Sequence, residues 1–82
     1  MKQFTIANLK ADNACADGFE YGATLIEAGH NVAAHLFRDN KEWFIWAVAK
    51  GYNVSSVTAL MPPSARKAYA ARAKACAAWS KA

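Results

Sequence analysis

Residues 41–50 read Lys-Glu-Trp-Phe-Ile-Trp-Ala-Val-Ala-Lys, and how this stretch is read decides the fold. From Trp43 to Ala49 there is no polar residue, so the segment has no solvent face in any regular conformation. Asp39 and Asn40 precede it, and both are good helix N-caps. Gly51 follows, the residue type that most readily takes the left-handed turn closing a helix. About nine residues between an Asp-Asn start and a Gly stop fit a helix better than a strand. A helix that is apolar all round belongs at the centre of a domain.

The rest of the chain follows the same helical habit. Alanine fills 20 of 82 positions, and the only prolines are the adjacent Pro62 and Pro63. Such a composition favours helix almost throughout. Lys2–Ile6 can be a short edge strand, or Thr5 can cap a first turn through Asn8, Leu9 and Lys10; the cap is preferred. Asp12 or Asn13 is expected to start a second helix, with Cys15, Gly18, Phe19 and Gly22 on one face. Two glycines on that face cost helix propensity, so their expected return is close approach of another helix. Gly29 breaks the pattern, and Asn31 is expected to cap a third helix through Val32, Ala33, Leu36 and Phe37. Val54–Leu60 is ambiguous: Val54, Val57 and Thr58 suit a strand, Ser55 and Ser56 a short helix. Pro62-Pro63-Ser64 marks a break, with Ser64 as the expected cap of the last helix. The expectation is a single all-α domain over residues 1–82, a compact bundle of about five helices with a possible extended N-terminal segment.

Charge divides the chain sharply. Residues 1–63 hold five cations and six acids, a net −1, and every acid lies at or before Glu42. Residues 64–82 hold Arg66, Lys67, Arg72, Lys74 and Lys81 with no acid, a net +5. At 100° per residue, Lys67, Lys74 and Lys81 form one stripe with Arg66 beside it. Ala65, Tyr69, Cys76 and Trp79 fall opposite and are expected to pack inward. Arg72 falls in the middle of the apolar side, where its stem is expected to pack while its guanidinium snorkels or pairs with a body carboxylate such as Glu20 or Glu42; presentation to a partner is the alternative. A lysine stripe is most often a solvated face. As a functional surface it fits an acidic protein partner, and less well a nucleic-acid backbone, because no Asn, Gln or Thr accompanies it for base readout.

Little in the chain points to catalysis. Cys15, His30, His35 and Cys76 could in number supply a zinc site, but their spacing fits no zinc pattern, and His30 and His35 do not share a helix face. His35 with Asp39 suggests a local hydrogen bond. The two cysteines form no CxxC and read first as reduced, buried thiols, with a lone disulfide as the alternative. There is no phosphate-binding glycine loop, and Asp17 and Glu20 lie on a helix surface. Trp43 and Trp46 share one side of their helix and read first as core, then as interface anchors. The N-terminus has no apolar leader core, and no run approaches the ~18 apolar residues of a membrane span. The expectation is a cytoplasmic, non-enzymatic protein that needs no metal or cofactor.

The order Leu9-Lys10, Ala14-Cys15-Ala16-Asp17-Gly18, Lys41-Glu42-Trp43-Phe44-Ile45-Trp46 and an Arg/Ala-rich terminal helix ending in Trp79 resembles small helical proteins encoded by phages and prophages. Glu42 stands where the pattern has Asp, and Phe19-Glu20-Tyr21 where a Trp is frequent. The resemblance implies packing motifs rather than chemistry. It further implies a protein that binds and blocks a host protein or ribonucleoprotein complex, the inhibitors of CRISPR–Cas and other defence systems being one class. On that reading Arg66, Lys67, Lys74 and Lys81 contact the partner. A basic nucleic-acid-binding accessory protein is the alternative, and a phage component self-associating through Gly18 and Gly22 a third.

Overall fold

The computed structural model describes residues 1–81, with side chains through Cys76. It is all-α, with α1 (Ile6–Ala11), α2 (Ala16–Glu27), α3 (Val32–Asp39), α4 (Lys41–Ala49), α5 (Ser55–Thr58) and α6 (Pro63–Lys81). The sixth helix, against an expected five or so, is α5, a single turn. Its Ser55 donates its backbone N–H and its hydroxyl to Asn53 Oδ1 at 3.1 and 2.7 Å. That local capture draws the β-branched segment into a turn of helix.

Three helices close in the same way. After α2, Gly29 has φ +75° and Gly51 after α4 has φ +85°. In each, the next residue's N–H reaches back to a carbonyl five positions earlier: His30 to Leu25 at 3.0 Å and Tyr52 to Ala47 at 3.0 Å. α1 repeats this with Asn13 at φ +56° and Ala14 N–H bonded to Leu9 O at 3.1 Å. These are Schellman ends. Asn13 therefore stops α1 rather than starting α2, and Asp12 is the C-cap of α1. The N-cap of α2 is Cys15, whose Sγ accepts the Gly18 N–H at 3.4 Å. The other caps fall where expected: Thr5 accepts from Asn8, Asn31 from Ala34 and Asn40 from Trp43. Ser64 is not a cap. α6 begins at Pro63, which fits the first helical position because it has no N–H to satisfy.

The core gathers around α4. Phe44 and Ala47 are completely buried and Ile45 nearly so, whereas Trp43, Trp46, Val48 and Ala49 are half-buried. α6 packs along α4. The Tyr69 ring meets Phe44 at 5.6 Å and Phe37 at 5.7 Å, and Phe37 meets Phe44 at 5.2 Å, all edge-on. Each such pair contributes about 0.5–1.5 kcal/mol beyond area burial. Ala73 is buried on the same side of α6.

The N-terminal segment is extended but does not belong to a sheet. Lys2 forms an isolated parallel bridge with Tyr52, donating to Gly51 O at 3.0 Å and accepting from Asn53 N–H at 2.7 Å. Phe4 stacks on the buried Tyr52 ring at 4.8 Å, with Trp46 also stacked on it at 5.8 Å. Lys2 pairs with Asp12, and its Nζ lies 5.0 Å from the centre of the Tyr52 ring. The Lys2 bond lowers the Asp12 pKa. Among the described residues the buried Tyr52 hydroxyl has no partner in hydrogen-bond geometry; burial, and then the nearby Asp12 carboxylate, raise its pKa.

Candidate functional site

α6 is amphipathic in a plain geometric sense. Ala65, Tyr69, Ala73 and Cys76 are buried or half-buried, and Arg66, Lys67 and Lys74 are exposed. The centre of the inward face is Ala73, 4% exposed, rather than the neighbourhood of Arg72. Arg72 therefore sits on the rim, not toward the core. Its side chain is 59% exposed and its Nη2 lies 3.6 Å from Glu42 Oε1, so of the two expected carboxylates Glu42 is the partner. A pair this open contributes little to stability. The side chains of Trp79 and Lys81, expected on opposite faces, lie outside the described residues.

Arg66, Lys67 and Lys74 differ from Lys2, Arg38 and Arg72, though not from Lys10 and Lys50, in having no carboxylate partner among the described residues. Among the described residues, Lys2 pairs with Asp12, Arg38 with Asp39 and Arg72 with Glu42. Lys41 donates to Phe37 O at 3.0 Å. Arg66, Lys67 and Lys74 have no ion-pair partner among the described residues. The reason is in the sequence: no acid occurs after Glu42, and the inward face of α6 is what meets the acid-bearing body. The result is a positive surface that the fold leaves unneutralised, on a helix whose other side packs against α4.

A second feature is an apolar cleft of about 390 Å³ where α1, α2, α3, α4 and α6 meet. Phe4, Leu9, Tyr21, Trp43 and Trp46 contribute its large apolar surfaces, with Gly18 and Gly22 in the wall. The two tryptophans are thus neither simply core nor simply exposed: each is half-buried and lines this space. The glycines permit close approach, as expected. A Cβ on Gly22 would lie 2.8 Å from Leu9 Cδ1, and one on Gly18 would lie 3.1 Å from Cys15 Sγ and 3.8 Å from the Trp43 ring. The neighbour at Gly22 is the short α1. Cys15 and Cys76 both line the cleft, and they are exposed and half-buried respectively, not buried as expected. The aromatics from other segments, Phe4 and Tyr21, were beyond reach of local sequence reading, because only the tertiary fold brings them beside Trp43.

The histidines do not join the cysteines. Among the described residues no group of three or more His, Cys, Asp or Glu is placed to hold a metal. His30 and His35 face each other with ring centres 5.3 Å apart. The expected His35–Asp39 bond is replaced by a relay through Arg38, which contacts His35 Nδ1 at 3.1 Å and donates to Asp39 at 2.8 and 3.0 Å. Tyr21 Oη also donates to Asp39 at 3.1 Å.

Arg38, and secondarily Tyr21, hold the Asp39 carboxyl at a pKa of about 2, below its ordinary 3.8. A carboxylate whose folded pKa is depressed adds stability above its unfolded pKa and loses it as pH falls. The expected acid denaturation therefore has a component between about pH 4 and 2 that Asp39→Asn removes. Following the Asp39 carboxyl carbon by NMR across that range checks it; a midpoint at the ordinary 3.8 would show the carboxylate to be unheld.

No helix of the described residues is long and apolar enough to cross a membrane. No protein family, curated protein or solved structure compared with this chain matches it.

Proposed function

We propose that this chain is a non-enzymatic binding protein that docks the outward face of α6 on an acidic surface of another macromolecule and acts by occlusion. Arg66, Lys67 and Lys74 make the contacts, and Lys81 continues the same stripe by its spacing. The observation that carries the reading is that these three exposed cations lie together on one helix that holds no acid and have no carboxylate partner among the described residues. Opposite charges on a partner would find them already presented, steering association and fixing register. The resemblance to small phage-encoded helical proteins makes a host complex in the cytoplasm the proposed partner, with CRISPR–Cas and other defence assemblies as one class.

The test is charge reversal. In the Lys67→Glu/Lys74→Glu variant, partner recovered by the tagged chain from nuclease-treated host lysate is expected to fall about tenfold, since two attractions become repulsions. Circular dichroism and melting temperature stay near those of the parent, both sites being exposed. Undiminished recovery rejects this surface. Tight binding to a short duplex at low salt, falling steeply with added salt, would favour the nucleic-acid reading instead.

A further inference from the structure

The apolar cleft carries a second activity, independent of the basic face of α6. We propose that it is a binding site for a small organic cation, an alkylated ammonium with an apolar body. Trp43, Trp46, Tyr21 and Phe4 all line the space. Tyr21 meets Trp43 edge-on at 5.5 Å, which sets the two rings at an angle, as adjoining walls of a cage are set. The faces of aromatic rings attract cations, indole most strongly, and desolvated cages of such rings are the common means of holding quaternary ammonium groups.

Charge selects the same ligand class. Among the described residues, Glu42 is the one carboxylate that lines the cleft, and no Lys or Arg lines it. It stands four residues before Trp46 on α4, hence on the same side of that helix. Glu42 is 83% exposed, so it stands at the mouth rather than in the interior. Its present partner is the guanidinium of Arg72 at 3.6 Å, a contact long and open enough to be exchanged for another cation. A neutral apolar ligand would leave this carboxylate unused, and an anion would be repelled by it. Gly18 matters to the shape: a side chain there would press against Cys15 Sγ and reach the Trp43 ring. The space, about 390 Å³, admits a ligand of roughly ten to fifteen non-hydrogen atoms.

Benzyltrimethylammonium is a suitable first probe, with choline and its uncharged isostere 3,3-dimethyl-1-butanol as the matched pair that isolates charge. Titration followed by indole and backbone NMR shifts should saturate with a Kd of about 1 mM or tighter for benzyltrimethylammonium. The shifts are expected at Trp43, Trp46, Gly18 and Tyr21. Choline should bind several-fold more tightly than its isostere, and Glu42→Gln should remove that preference. Glu42 is exposed, so this variant keeps the fold. Arg72→Gln releases Glu42 and should tighten cation binding. Absence of saturable shifts, equal binding of choline and its isostere, or an unchanged preference in Glu42→Gln would each overturn the proposal.

Discussion

Phe44→Ala is expected to cost about 3–5 kcal/mol, the range for a large aromatic removed from a closed core. Phe44 is fully buried, and its ring is the common neighbour of Phe37 and Tyr69, so its loss opens a void between α3, α4 and α6 together. A domain of this length has roughly 4–12 kcal/mol of stability in all. The variant should therefore melt roughly 15 °C or more below the parent, or show no cooperative transition. Thermal unfolding by circular dichroism measures this. A shift of only a few degrees would mean that the aromatic triangle does not bind α6 to the body. Because Phe44 and Tyr69 pack against each other, Tyr69→Ala should not add its full effect to that of Phe44→Ala.

The second large effect is expected from Ala73→Glu. Ala73 is buried in the face of α6 that packs toward α4. The substitution inserts bulk into a close contact and a charge into an apolar one, so a loss of about 3 kcal/mol or more follows. Ala71→Glu makes the same change at an exposed position on the same helix and should stay within about 0.5 kcal/mol. Comparison of the two by urea denaturation isolates burial from helix propensity and net charge. Equal stabilities would place the inward face of α6 elsewhere.

Much of the fold follows from local chemistry that a sequence displays openly. Asn31, Asn40, Gly29 and Gly51 bond groups three residues from where they stand, which is why α3 and α4 fall as expected. Asn13 shows the limit of such reading. Asn is both a good N-cap and, after glycine, a residue that readily takes positive φ, so the letter alone does not say whether it opens or closes a helix. Cys15 as a cap was hidden because thiols rarely serve as one. Ser55 and Asn53 settle α5 by a side-chain capture that competes with the strand preference of Val54, Val57 and Thr58.

The site divides along the same line. The basic stripe depends only on helical spacing and on the lack of acids after Glu42, so it can be drawn from the sequence. Arg72 was misplaced by the same method, because a wheel gives angles but not the centre of the buried arc, and Ala73 turns out to hold that centre. The cleft needed Phe4, Tyr21, Trp43 and Cys76 to be brought together from four segments, which no periodicity encodes.

Amine footprinting of the captured complex tests the proposed docking surface most directly. Lysines are acylated in the free chain and again in the captured complex, and the extent at each is read by mass spectrometry. The account predicts that Lys67 and Lys74 become strongly protected while the exposed Lys10 on α1 reacts as before. Equal reactivity of Lys67 and Lys74 in the two states, with protection elsewhere, would contradict it.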